Sequence, residues 1–230
     1  MRCRPRPRQT WFRARVREPH NRTDRVAREA FDAMEALAAE GVDVQIPFFA
    51  GAVIGAAEAA LQAHIGGDDQ RADTLLATAI RRAAGSEQGL VTAAQHQMWL
   101  AAMRGDPELA RRLAADCRTW GERLDVPVYG QVADLVGGWA DAMLGDTSGA
   151  DRAGSAFDDY TATGLRVDLP FYLLLRAEAH MSAGRGLWSR ELIRQSRALG
   201  IDRGRVLLQP AIAGLGRVAG AGRRLTWRQG

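Results

Sequence analysis

Residues Gly164 to Gly184 read GLRVDLPFYLLLRAEAHMSAG. The stretch holds a turn, an apolar run opened by Pro170, and a second turn at Gly184. A proline at the start of a helix loses no hydrogen bond, and a glycine just past its end accepts the left-handed backbone that stops it. The stretch therefore predicts one complete helix between two turns. Parts of it recur upstream, and that recurrence decides the fold.

Turn signals stand at Gly67-Asp68, Gly105-Asp106 and Gly145-Asp146, with Gly184-Arg185 as a fourth, at intervals of 38, 40 and 39 residues. Each Gly suits the end of one helix, and each Asp suits the N-cap of the next. Asp106-Pro107-Glu108 adds a proline in the first helical turn and an acid beside the positive end of the helix dipole. The register after each turn also agrees. Four residues on stand Ala72, Ala110, Ala150 and Ser189; seven on, Leu75, Leu113, Ala153 and Leu192; eleven on, Ala79, Cys117, Phe157 and Ser196. Spacings of three and four place these on one face. Ahead of each turn, Trp99 and Trp139 hold the same position, six residues before the glycine, where Leu61 and Glu178 stand in the other units. Both tryptophans are expected in the core between helices. Pro47, Pro127 and Pro170 each precede an aromatic residue, Tyr172 among them, and are expected to open helices.

The expected fold is all-α: a right-handed solenoid of antiparallel helix pairs with a period near 39 residues. The pairs are 46–65 with 69–84, 87–104 with 107–123, 127–144 with 148–163, and 169–183 with 187–199. A single helix near 24–40 precedes them. The domain limits are a basic N-terminal segment over 1–23, expected disordered, a repeat domain over 24–199, and a Gly/Arg-rich tail over 200–230, expected poorly ordered.

Charge divides along the same lines. All 31 basic residues are Arg. Residues 1–28 carry ten of them against Glu18 and Asp24, and residues 185–230 carry ten against Glu191 and Asp202, so each end is +8. The body between is −12 within a total of +4. The ends suit an acidic or nucleic-acid partner, whereas the acidic body makes nucleic-acid binding through the repeats an unfavourable choice. Cys3 and Cys117 lack metal or redox spacing, which fits a reduced, cytoplasmic chain. The most apolar run, Ile46 to Leu61, is too short to span a bilayer and contains Glu58, so no membrane association is expected. Gly214 to Ala219 formally fits a dinucleotide fingerprint, but only eleven residues follow it, too few for the required helix and strand.

No zinc-spaced His/Cys set, nucleophile motif or phosphate-binding loop is present, so neither enzyme activity nor a cofactor is expected. His96, Arg176 and His180 fall on first helices of their units, which in such arrays line the concave face. They are the candidate groove residues, although a surface or half-buried side chain is the ordinary reading of the two histidines.

The segments Met98-Trp99-Leu100-Ala101 through Gly105-Asp106-Pro107-Glu108-Leu109-Ala110, Gly138-Trp139-Ala140 with Gly145, and Tyr160 to Gly164 through Leu169 to His180 resemble a divergent tetratricopeptide array. More specifically, they are similar to the helical repeat region of bacterial regulators that join a cyclase-like or LuxR-type domain to a signal-transducing NTPase. The resemblance covers about residues 26–184. It implies a noncatalytic module that binds a protein, a peptide or a small effector, with dimerisation through uncapped ends of the stack. Arg185 to Arg197 departs from the family's usual helix, and the NTPase, cyclase and DNA-binding parts are absent. The expectation is therefore a detached segment of such a regulator, or a gene fragment.

Overall fold

A computed structural model of the chain describes residues 45–46 and 49–202. Expectations for 1–23, for a helix near 24–40, for Pro47, for the Gly214 fingerprint and for the tail beyond Asp202 lie outside the described residues. Within them the fold is all-α, preceded by a two-residue ribbon. The ribbon pairs β1 (Gln45–Ile46) with β2 (Phe49–Ala50) antiparallel, Ile46 opposite Phe49. Eight helices follow: α1 (Gly51–Ile65), α2 (Asp69–Ala83), α3 (Glu87–Met103), α4 (Pro107–Arg123), α5 (Pro127–Leu144), α6 (Gly149–Ala162), α7 (Leu169–Ser182) and α8 (Gly186–Asp202).

The four repeated turns share one geometry. Gly67, Gly105, Gly145 and Gly184 all have positive φ, between 68° and 109°. In each turn the following amide reaches back five residues: Asp68 to the Ala63 carbonyl, Asp106 to Ala101, Asp146 to Asp141, and Arg185 to His180. This satisfies a carbonyl that a helix end would otherwise leave bare. Asp68 and Asp106 then cap α2 and α4, accepting from the Arg71 and Leu109 amides at 3.0 Å. Asp146 instead accepts from Ser148 at 3.0 Å, and α6 starts two residues later relative to its aspartate. Arg185 cannot accept, so α8 has no acid at this place.

The predicted stripes are the buried faces. Ala72, Ala110, Ala150 and Ser189 are fully buried, as are Ala79, Cys117, Ala153 and Ser196. Leu75 and Leu192 are buried, and Leu113 and Phe157 are partly so. Burial raises the Cys117 thiol to about 12, so it is a packing group and not a reactive thiolate.

Odd-numbered helices form an inner row. Each packs on the next odd helix and on the even helices before and after it. Twelve of the seventeen residues of α3 are buried, against a single stripe on α4. Glycine permits the closest approach: a Cβ on Gly138 would lie 2.6 Å from the Ala153 nitrogen and 2.8 Å from the Gly149 carbonyl oxygen, so α5 and α6 touch backbone to backbone. Trp99 and Trp139 are core residues as expected, and Leu61 and Glu178 are buried at the equivalent places.

Three expectations need correction. The first pair does not begin at residue 46. Its helix starts at Gly51, because the β-branched and aromatic run before it supports extended backbone, and the residue preceding a proline avoids helical angles. Pro127 is the first residue of its helix, but Pro170 is the second, after Asp168 at φ 55°. The last helix is also longer than predicted, running to Asp202.

Candidate functional site

The inner face of the row is filled where a groove was expected. Trp99 of α3 reaches α7, two units on, with its ring 6.2 Å from Phe171 and 6.1 Å from Tyr172. Tyr172 also meets Tyr160 edge-on at 5.3 Å. These rings are buried and belong to one apolar cluster. His96 lies beside Trp99, 4% exposed, with Nδ1 2.8 Å from the Thr92 carbonyl oxygen and Nε2 3.4 Å from Glu58. It is a core histidine rather than a groove wall.

The open surfaces lie on the other side, between successive even helices. The first is a cleft of about 630 Å³ between α4 and α6, floored by α5. Small residues, Ala114, Gly137, Gly138 and Ala156, make its depth. Its charges alternate and are largely paired. Arg118 pairs with Asp134, and Arg111 lies 3.9 Å from Asp141. Arg152 bridges Asp141 and Asp146 at 2.7 and 2.8 Å. Hydrogen bonds from Ser148 and Arg152 hold the Asp146 carboxyl down to about 2.

The equivalent surface one unit on lies between α6 and α8, over α7. Adding the 39-residue repeat converts Gly137 to Arg176 and Asp141 to His180. These two candidates therefore stand one helical turn apart, at positions equivalent to two residues that line the first cleft. The Arg176 guanidinium lies over the Phe157 ring of α6 at 4.5 Å. Its pKa is lowered, chiefly by burial. The His180 ring stacks on Trp188 of α8 at 6.0 Å and 21°. Burial first, then Arg176 and Arg185, lower the His180 pKa and favour the neutral ring. Arg185 forks onto Asp151, one of its two contacts measuring 2.9 Å. Arg176 Nε and His180 Nδ1 are both buried with no hydrogen-bond partner.

The structure thus brings Arg176 and His180 together and leaves His96 apart. Reading the chain alone missed Trp188, Arg185 and Phe157 as their neighbours. The available signal was the break in pattern at Arg185, where three earlier turns carry Asp.

Between α5 and α7 the repeat closes on itself. Trp139 Nε1 donates to Glu178 Oε2 at 2.8 Å, linking equivalent positions of successive units. Glu178 is fully enclosed, and desolvation, offset only by that bond, raises its carboxyl to about 7. Among the described residues, no group of three or more metal-ligating side chains converges, and no helix is long and apolar enough to cross a membrane.

The all-α repeat with clefts between its outer helices defines the class of protein this is. Beyond that class, no family model, no curated protein and no solved structure matches the chain.

Proposed function

We propose that the chain is a noncatalytic interaction or effector-sensing module: a right-handed solenoid of tetratricopeptide type, related to the helical repeat region of bacterial transcriptional or cyclic-nucleotide regulators. The observation that carries this reading is the same turn closure, an amide bonded to the carbonyl five residues back, recurring at intervals of 38 to 40 residues. A stack of this kind presents clefts whose walls vary from unit to unit while the frame stays constant. Here the clefts carry unlike charge on a shared backbone, as a binding surface requires and a packing surface does not.

The test is a display of random peptides and a library of small metabolites against the full chain. An enriched peptide consensus, or a compound that raises the melting temperature at a saturable concentration, is the expected result. Failure of both screens removes the proposal, and a turnover of any library member would replace it with an enzymatic one.

A second reading follows from the charge at the ends, +8 over residues 1–28 and +8 over 185–230. It makes the chain an accessory nucleic-acid binder through its arginines. Binding to duplex DNA should then fall steeply with salt. An absence of binding at low salt removes this reading and leaves the first intact.

A further inference from the structure

We propose that the side-chain cluster of Phe157, Arg176, His180 and Trp188, where α7 meets α6 and α8, binds a small aromatic oxyanion, with Arg176 and His180 holding the carboxylate or phosphate and Trp188 stacking on the ring. The inference rests on the effector-sensing reading above and names its ligand class.

Four observations converge on the same place. Arg176 is half-buried, makes no ion pair among the described residues, and has a buried Nε with no acceptor. A guanidinium is a rigid fork of donors, matched by carboxylate and phosphate oxygens. One turn on, His180 is 93% buried, since only 7% of it is exposed, and its Nδ1 is likewise unpartnered. Buried polar groups in folded proteins are nearly always hydrogen-bonded, so two unsatisfied atoms on neighbouring side chains mark a missing partner.

The third observation is the inversion of the repeat at its fourth turn. Asp68, Asp106 and Asp146 place a carboxylate at the start of α2, α4 and α6. At the same point before α8 the chain has Arg185, and α8 has no acid in its first turn. The start of α8 therefore has no carboxylate of its own turn to neutralise the positive end of its dipole. Asp151 takes up Arg185, and Asp158 acts on Arg176 electrostatically; both stand on the exposed face of α6. Neither supplies an acceptor to Arg176 Nε or His180 Nδ1.

The fourth observation is Trp188. It is 61% exposed although its ring lies parallel to His180, and Leu187 beside it is 75% exposed. An indole with one face on an imidazole and the rest in water is a platform for a second planar ring. The equivalent residue one unit earlier is Gly149, which is buried against α5. The tryptophan is thus a departure from the packing pattern, beside Arg176 and His180.

The experiment is titration of the full chain with phenyl phosphate, benzoate and inorganic phosphate, followed by calorimetry and tryptophan fluorescence. At least one aromatic anion should bind and quench fluorescence, and preference between the two identifies the oxyanion. Arg176→Met keeps the stem on Phe157, so it should weaken binding at least tenfold while the melting temperature holds or rises. Trp188→Ala should weaken the aromatic anions and leave inorganic phosphate unchanged. Binding that survives Arg176→Met, or the absence of binding by all three anions in the millimolar range, overturns the inference. If a peptide or other effector binds while these anions do not, the parent reading stands and only this site is lost.

Discussion

The two outer surfaces share a backbone and differ in what they ask of their surroundings. Between α4 and α6 the floor is Gly137, Gly138 and Asp141, and the arginines of the walls are already paired with aspartates. Between α6 and α8 the floor is Arg176, Ala177 and His180, with two buried nitrogens left without acceptors. The first surface is electrostatically complete; the second is not. The difference shows how a repeat separates frame from function. The turn glycines and the small residues of the buried stripe are held in both units, while Asp146 becomes Arg185, Gly137 becomes Arg176 and Asp141 becomes His180.

The largest effect that can break this comparison is expected at Gly138. A Cβ there meets the backbone of α6, which cannot move aside as a side chain would. Gly138→Ala should therefore destabilise the fold by about 3 kcal/mol, read by denaturant unfolding. Position 177, its equivalent one unit on, is an alanine already, fully buried. A Gly138→Ala protein as stable as the parent would mean that α5 and α6 are not in backbone contact.

The next effect is at Glu178, on the seam between the two units. Its folded carboxyl titrates near 7, above the ordinary 4.5. A group whose folded pKa is raised contributes full stability below the unfolded value and loses it as pH rises through the folded one. Stability should therefore fall between pH 4.5 and 7 and level off above. Glu178→Gln keeps an acceptor for Trp139, removes that slope, and should stabilise the protein at pH 8 by about 2 kcal/mol. Thermal unfolding at pH 5 and pH 8 measures both; a parent protein equally stable at the two values would contradict the enclosed carboxyl.

The smallest effect sharpens the contrast from the paired side. Arg152→Ala removes bonds to Asp141 and Asp146 that are exposed and weakened by solvent. The melting temperature should move by no more than about 2 °C. The Asp146 carboxyl, held at about 2, should instead rise toward its ordinary range in a carbon-13 titration. A large loss of stability would make the first cleft a structural brace and not a complete but idle surface.

The turns, the helix limits and the buried stripes were readable before any coordinates. Each depends on interactions within about six residues: a glycine at positive φ, an aspartate accepting from an amide three positions on, small residues at spacings of three and four. Such signals are complete within the stretch that carries them. The first helix escaped this logic, because the backbone of Gln45 and Ile46 finds its partner in Phe49 and Ala50 rather than in a helical turn.

What only the tertiary structure decided is the direction each side chain faces once helices stack. The chain places His96, Arg176 and His180 on first helices, and no local rule says which face meets the inner row. Rotation of α7 against α6 and α8 turns Arg176 and His180 outward. Trp99 meets Phe171 and Tyr172 beside the buried His96. Contacts between units 39 or 72 residues apart set those rotations, as between Trp139 and Glu178 or Trp99 and Phe171, and they exist only when the whole stack has formed.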